Sequence, residues 1–128
     1  MSAVRMNGKE MAADVRAALT KEVEELKKKG ITPGMATVLV GGAEDSAVYV
    51  RNKGKNCEAV GGYAELHHLS EDTTIDELMG LIDQLNKDEK IHGILVQLPL
   101  PGELDKYEKQ VMNSINPDKD IDAFHPMN

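Results

Sequence analysis

Long segments with helical spacing of apolar residues alternate along this chain with short, almost wholly apolar runs. Apolar residues three and four positions apart form one face of a helix, whereas four to eight consecutive apolar residues are typical of a buried strand. Repeated switching between the two patterns predicts an α/β fold, with strand-helix units building a mostly parallel sheet. Because such sheets carry helices on both faces, we expect a three-layer sandwich.

Four segments carry the helical pattern. Asn7 is expected to cap the first helix and Gly30 to end it, since these residue types suit the two helix ends. Thr73 or Thr74 is expected to cap the third helix. The predicted helices span about 8 to 29, 45 to 60, 74 to 86 and 104 to 115.

Four shorter runs have strand character, and the last of them is the most apolar. They span residues 3 to 6, 35 to 40, 63 to 69 and 92 to 98. Ligands of open parallel sheets bind beyond the carboxyl ends of the strands. The segments that follow Val40 and Val96 are therefore the informative ones.

The composition indicates one soluble globular domain over residues 1–128, with 41% hydrophobic and 29% charged residues. A net charge of −7 repels phosphate backbones, so nucleic acid is not expected as a partner. No stretch reaches the ~20 apolar residues of a membrane span, and no signal peptide is evident. Cys57 is the single cysteine, which fits a reducing compartment, and we expect a cytoplasmic location.

Three segments near the predicted strand ends carry candidate chemistry. Tyr49 and Lys53 are four residues apart, so an aromatic ring and an amine share one helix face. Gln97 is followed by two prolines in Leu98–Pro101, and residues 118–126 form a long acidic loop. Each feature also has a purely structural explanation. The apolar stems of Tyr49 and Lys53 can cover nearby apolar surface, Gln97 and the prolines can end the strand, and the acidic loop can be solvated surface. Spacing alone leaves both interpretations open.

The same segments resemble the tetrahydrofolate dehydrogenase/cyclohydrolase family. Gly93–Pro101 (GILVQLPLP) and Pro117–Asp122 (PDKDID) are similar to its two signature segments. Tyr49–Lys53 (YVRNK), with Ser46 before it, resembles the family's Tyr-x-x-x-Lys helix. The three matches occur in order and span essentially the whole chain. The resemblance is to the N-terminal, folate-binding catalytic domain of a bifunctional methylenetetrahydrofolate dehydrogenase/methenyltetrahydrofolate cyclohydrolase.

The resemblance implies roles for the matching residues. Lys53 is implied as the central catalytic group, and Gln97 as its hydrogen-bonding partner. Tyr49 is implied to stack on the aminobenzoyl ring, and Asp122 to hydrogen-bond the amino-pyrimidinone edge of the pterin. A carboxylate suits that edge because it accepts from two N–H donors at once. The remaining implied substrate-binding residues are Ser46, Leu98 and Pro99.

The resemblance also implies the reaction. The full-length enzyme, expected to be a homodimer, oxidises 5,10-methylenetetrahydrofolate with NADP and hydrolyses the methenyl product to 10-formyltetrahydrofolate, in one-carbon metabolism and purine biosynthesis. The family's Rossmann domain is absent from these 128 residues, and no Gly-x-Gly-x-x-Gly follows a strand. NADP is therefore not expected to bind this chain alone, whereas tetrahydrofolate is expected as its substrate.

Two positions depart from the family pattern. Ala123 replaces the glycine that usually follows the pterin-binding aspartate, so strain is expected there if the position needs a positive φ. The turn Ala43–Ser46 differs from the common bacterial Asp-Pro-Ala-Ser, which we interpret as tolerated variation. No metal site is expected, because His67 and His68 point to opposite faces of a strand and the other histidines are distant in sequence.

Three hypotheses follow. The first is an enzyme domain of the dehydrogenase/cyclohydrolase. The second is a folate-binding module that has no turnover in isolation. The third is a non-catalytic scaffold or interaction domain, for which loss of Lys53 or Gln97 would be the distinguishing feature, and the sequence retains both.

Overall fold

The computed structural model describes residues 7–42 and 44–128. The predicted strand at Ala3–Met6 lies outside the described residues. Short 3₁₀ helices occupy Gly102–Tyr107 and Pro117–Lys119. The regular elements are α1 (Gly8–Lys28), β1 (Gly34–Val40), α2 (Glu44–Ala59), β2 (Tyr63–Leu69), α3 (Ile75–Lys87), β3 (Gly93–Val96) and α4 (Glu108–Ser114).

The three described strands form one parallel sheet in the order β2-β1-β3. In the register, Thr37 of β1 lies opposite Leu66 of β2 and Leu95 of β3. Strand β3 is shorter than the predicted 92–98, although the Gln97 amide still donates to the Val38 carbonyl at 2.9 Å. The ladder stops there because Pro99 has no N–H to donate. The prediction of a mostly parallel α/β sheet is confirmed.

Helices cover both faces of the sheet. Val50 of α2 is buried on the face that carries Thr37. Residues of α3 and α4 are buried on the opposite face together with alternate residues of β1 and β3. This main core consists of Ala36, Val38, Val40, Leu78, Ile82, Leu85, Ile91, Ile94, Val96, Leu100, Leu104, Val111, Met112 and Ile115. The predicted three-layer sandwich is therefore confirmed, with α2 as one outer layer and α3 with α4 as the other.

Helix α1 lies largely outside this core. Val23 is its buried residue, whereas Met11, Val15 and Leu19, spaced four residues apart, are 48%, 56% and 42% exposed. The stripe of apolar side chains therefore faces solvent over the first half of the helix. None of the helices in the described part of the chain is both long enough and apolar enough to cross a membrane.

Both predicted N-caps on helices α1 and α3 are confirmed. The Asn7 side chain accepts from the Lys9 amide at 3.0 Å at the start of α1. At α3 the cap is Thr74, whose hydroxyl oxygen accepts from the Glu77 amide at 3.2 Å. Each cap satisfies a backbone donor that the first helical turn leaves unpaired.

The predicted final helix over 104–115 was wrong in its first half. The structure has the 3₁₀ helix Gly102–Tyr107 there, and α4 begins only at Glu108. A 3₁₀ helix has three residues per turn, so Leu104 and Tyr107 share one face. Both pack against the main core. An i, i+3 spacing suits one face of either helix type, so the apolar pattern did not predict the tighter turn.

Candidate functional site

The carboxyl ends of β1 and β3 lie side by side and bring distant parts of the sequence together. Helix α2 follows β1, and Gln97 directly follows β3. Lys53 Nζ donates to Gln97 Oε1 at 3.3 Å across 44 residues of sequence. The two residues that the sequence singled out for catalysis are therefore paired in space.

The Gln97 amide is held at its other end as well. Its Nε2 donates to the Leu98 carbonyl oxygen at 3.3 Å, which turns Oε1 toward Lys53. Both Lys53 and Gln97 are half-buried. The amine consequently has one fixed acceptor while part of it stays accessible to a ligand.

Tyr49 lies one turn before Lys53 on α2, and its side chain is 63% exposed. Ser46, three residues earlier, is half-buried in the first turn. The spacing of Ser46, Tyr49 and Lys53 places all three on one helix face. An exposed ring one turn from the amine is a surface on which a flat ligand can stack.

The segment after Gln97 forms a fixed border of this region. Leu98 is half-buried and Pro99 is exposed, and the peptide bond between them is cis. Leu100 is buried, and its amide donates to the Glu108 carboxylate at 3.3 Å. Leu98 and Pro99 thus border Gln97 while Leu100 anchors the segment in the core.

Gly41 forms the turn between β1 and α2 and lies against this border. Its φ is +88°, and a Cβ there would come within 3.2 Å of the Pro101 ring and of the Glu71 side chain. The Gly41 carbonyl is 2.6 Å from Nε2 of His68. Glycine is favoured here by its positive φ, and a Cβ would in addition require the Pro101 and Glu71 side chains to move by a few tenths of an ångström.

The acidic loop packs beside the beginning of β3. Asp120 forms a parallel bridge with Ile94, and the Ile121 side chain lies over Gly93. Asp122 is exposed in the turn that follows, and among the described residues no hydrogen bond joins it to Lys53 or Gln97. Ala123 has a φ of +57°, the conformation that the usual glycine adopts without strain.

Comparison with known proteins decides the family. The family model for the catalytic domain of tetrahydrofolate dehydrogenase/cyclohydrolase matches residues 6–122. The chain belongs to this family. Among curated relatives, it is 56% identical over 128 residues to the bifunctional protein FolD of Moorella thermoacetica and 49% identical to that of Bacillus subtilis. It covers 45% and 44% of those relatives, so the chain spans less than half of their length.

Solved structures agree with the family's fold. A Trypanosoma brucei methylenetetrahydrofolate dehydrogenase-cyclohydrolase, complexed with NADP and an inhibitor, matches with a TM-score of 0.91 and 37% identity. The match covers 100% of this chain and 43% of that one. The bifunctional enzyme FolD of Campylobacter jejuni matches with a TM-score of 0.89 and 42% identity, over 94% of this chain and 42% of its own.

The larger clefts do not coincide with the Lys53–Gln97 pair. One cleft of about 510 Å³ lies at the amino ends of the strands, beside Tyr63 and His92. Another of about 510 Å³ lies between segments 71–75 and 101–107. We place the candidate site at the Lys53–Gln97 pair because the hydrogen bond is there, at the carboxyl ends where open sheets bind ligands.

Cys57 lies one turn after Lys53 and is half-buried, with Sγ 3.5 Å from the Tyr63 carbonyl oxygen. Burial raises the pKa of the Cys57 thiol, and the nearby Glu58 carboxylate raises it further. The reactive thiolate form is therefore disfavoured. Among the side chains that the structure describes, no group of three or more His, Cys, Asp or Glu could hold a metal ion.

Sequence reasoning missed two residues of the acidic loop, Lys119 and Asp120. Lys119 donates hydrogen bonds to backbone carbonyls at the end of α3, and Asp120 accepts them from backbone amides of its own loop. Both lie inside the segment Pro117–Asp122, in which the family resemblance implied a role only for Asp122. No periodicity could separate them from solvated charges.

Proposed function

We propose that residues 1–128 form a single folate-binding catalytic domain of a bifunctional methylenetetrahydrofolate dehydrogenase/methenyltetrahydrofolate cyclohydrolase. The full-length enzyme would act in the cytoplasm as a homodimer. The observation that carries the proposal is the Lys53–Gln97 hydrogen bond of 3.3 Å at the carboxyl ends of β1 and β3. Membership of the family supplies the reaction class, and this pair supplies a group able to move a proton.

The hydrolytic step needs a base close to the methenyl carbon. Water attacks this cationic carbon and gives one proton to the base. The remaining hydroxyl proton is then transferred to N5 as the C–N5 bond breaks, which gives 10-formyltetrahydrofolate. A positive carbon disfavours an ammonium group beside it, so Lys53 acts as the neutral amine and accepts the proton from water. Because Gln97 Oε1 holds one Nζ hydrogen, the lone pair of the amine is directed away from the amide.

The other residues hold the substrate. The exposed Tyr49 ring stacks on the aminobenzoyl group, one turn of α2 from the amine. Asp122 accepts two N–H donors from the pterin edge, a charge-assisted arrangement stronger than a neutral one. Ser46, Leu98 and Pro99 border the bound folate on either side of Tyr49 and Gln97.

We do not assign binding of the hydride acceptor to this chain. Its sequence contains no Gly-x-Gly-x-x-Gly after a strand, so its residues do not fit the pyrophosphate of a dinucleotide. NADP, bound elsewhere in the full-length enzyme, would accept the hydride of the dehydrogenase step. This chain contributes the folate site and the proton transfer.

A second candidate function is folate binding without turnover. It is favoured by the exposure of Tyr49 and by the fact that the chain spans only 45% of a curated relative's length. An open site leaves water and substrate poorly ordered, and ordering the reactants is a large part of catalysis. Binding would then survive in this chain while hydrolysis would not.

One experiment separates the candidates. The 128-residue chain is titrated calorimetrically with 5-formyltetrahydrofolate, and its hydrolysis of methenyltetrahydrofolate is followed by absorbance. Lys53→Met is the test variant, and Lys55→Met is the matched control, since Lys55 is an exposed lysine on the same helix. Binding with hydrolysis that Lys53→Met alone abolishes supports the enzyme domain. Binding without hydrolysis supports the module, and absence of binding contradicts both.

A further inference from the structure

The acidic loop is fastened to the core by a lysine inside it. Lys119 Nζ donates to the backbone oxygens of Leu85, Asn86 and Asp88 at 3.1, 2.8 and 3.0 Å. These carbonyls lie at the C-terminal end of α3 and just beyond it, where helices leave carbonyls without the usual donors. An ammonium group has three donors, and its charge complements the negative end of the helix dipole.

This attachment reaches the rigid part of the molecule. Leu85 is 3% exposed and belongs to the main core, so the acceptors of Lys119 are held by core packing. On the next residue, the Asp120 bridge to Ile94 fixes the loop to β3. Ile121 then lies over Gly93, where a Cβ would come within 2.5 Å of its side chain. The chain is thus fixed at three consecutive residues before it reaches Asp122.

The residues after Asp122 are fixed by the Asp120 carboxylate. Its Oδ2 accepts from the His125 amide at 2.8 Å and from Asn128 Nδ2 at 3.2 Å. Partial burial raises the pKa of Asp120, but hydrogen bonds from His125, Asn128, Phe124 and Ala123 outweigh burial and the net pKa is lowered. The backbone therefore turns around one carboxylate, and Asp122 lies within that turn.

Asp122 itself is exposed and is held only through this backbone. Within the described part of the chain, no side chain or amide donates a hydrogen bond to its carboxylate. A loop that is already ordered binds its ligand more tightly, because ordering the loop on binding would cost affinity. The contacts of Lys119 and Asp120 therefore determine how well Asp122 can bind a ligand.

We propose that Lys119 and Asp120 are positioning residues that set the direction of the Asp122 carboxylate toward the pterin of a bound folate. The inference rests on the proposed function, because it requires Asp122 to contact the substrate. Lys119 fixes the loop before Asp122 and Asp120 closes it afterwards. Neither residue touches the folate.

A double-mutant cycle with 5-formyltetrahydrofolate tests this arrangement. Affinity is measured calorimetrically for the unaltered chain, Asp122→Ala, Lys119→Met, Asp120→Asn, and each of the last two combined with Asp122→Ala. We expect Asp122→Ala to weaken binding by about tenfold or more. Lys119→Met and Asp120→Asn should each weaken it by about three- to tenfold alone, and by less than about twofold when Asp122 is already alanine.

Two controls separate positioning from loss of stability. Ile82→Val shortens a core side chain of α3, lowers stability and leaves the loop contacts in place, so affinity should not change. Lys87→Met removes an exposed ion pair with Asp83 on the same helix and should also leave affinity unchanged. All titrations are made at a temperature where circular dichroism shows each variant folded. Should one loop variant not fold, the other completes the cycle.

The outcomes distinguish this inference from the proposed function. Unchanged affinity in Asp122→Ala removes Asp122 from the folate site and contradicts its proposed role. Weakened affinity in Asp122→Ala, together with loop variants whose effects persist in the Asp122→Ala background, overturns the positioning role alone. Effects of the loop variants that vanish in that background support it.

Discussion

The two halves of the candidate site are held in different ways. Lys53 lies in helix α2, Gln97 directly follows β3 with its backbone amide bonded to Val38 of β1, and a single hydrogen bond joins the two side chains. Asp122 lies in a turn, outside the helices and strands. Its backbone is held by the side chains of Lys119 and Asp120. Helix α2 and the sheet therefore place the proposed catalytic pair, and side-chain hydrogen bonds place the carboxylate proposed to bind folate.

This difference predicts different sensitivities. A group placed by a helix and a strand moves only if the core changes, whereas a group placed by side-chain contacts is displaced by single substitutions beside it. Substitutions of Lys119 or Asp120 should consequently change folate affinity more than they change the rate of hydrolysis. The following substitutions test the comparison, in order of expected effect.

The largest effect is expected at the contact between the loop and β3. Gly93→Ala adds a Cβ that would lie 2.5 Å from the Ile121 side chain, so one of the two must shift. We expect a loss of about 1–3 kcal/mol in the free energy of unfolding, as for other overpacked sites. Urea denaturation followed by circular dichroism measures it. Gly80→Ala is the control, because nothing lies within 4 Å of that position. A loss below about 0.5 kcal/mol, the range of ordinary surface substitutions, would show that the Ile121 side chain moves aside at little cost.

The proposed catalytic pair should respond in the rate of hydrolysis and not in stability. Gln97→Ala removes the acceptor of Lys53 Nζ, and we expect hydrolysis of methenyltetrahydrofolate to fall by about tenfold, as for one hydrogen bond to a charged or polarised group. Folate affinity should change by less than about twofold. Steady-state kinetics and calorimetry provide the two readouts. A loss of affinity with an unchanged rate would assign Gln97 to binding instead.

Relief of strain in the loop should give a smaller effect of opposite sign. Ala123 has a φ of +57°, which costs an alanine about 1 kcal/mol relative to glycine. Ala123→Gly should therefore stabilise the chain by up to about 1 kcal/mol. Thermal unfolding checks the sign. Destabilisation would mean that the added freedom of glycine in the unfolded chain outweighs the relief.

The smallest expected effect is on acid stability. The pKa of Asp120 is lowered in the folded chain because hydrogen bonds from its own loop outweigh the effect of burial. Its stabilising contribution is therefore complete above the ordinary aspartate pKa of about 3.9, and is lost as the pH falls through the lower folded value. The protection of the His125 amide against hydrogen exchange, relative to its intrinsic rate at each pH, should fall over that range.

Two variants make the acid prediction specific. Asp120→Asn should remove the pH dependence of His125 exchange, since an amide does not ionise in this range. Glu65→Gln is the matched control, because hydrogen bonds from Tyr63 and His67 on β2 also lower the pKa of Glu65. That control should change acid stability without altering His125 exchange. An unchanged pH profile in Asp120→Asn would show that another group governs the loop.

Much of the fold could be predicted from local pattern. The caps Asn7 and Thr74 and the bounds of α1 and β2 depend on neighbouring residues in the chain, so the sequence shows them directly. The prediction of a single helix over 104–115 failed because Leu104 and Tyr107 both pack on the core in a 3₁₀ turn. Apolar spacing alone does not distinguish the two helix types over so few residues.

The sequence by itself determined the class of fold, the family resemblance and the identity of the residues with candidate chemistry, because periodicity and motifs are local properties. The resemblance implied that Gln97 bonds Lys53, and the structure shows this contact across 44 residues. Only the tertiary structure decided that Lys119 reaches the end of α3 across 31 residues or more. Such contacts depend on how parallel strands align their carboxyl ends and on which carbonyls a helix leaves unpaired. Local sequence patterns show neither the alignment of the strands nor these carbonyls, so the position of Asp122 could be found only from the tertiary structure.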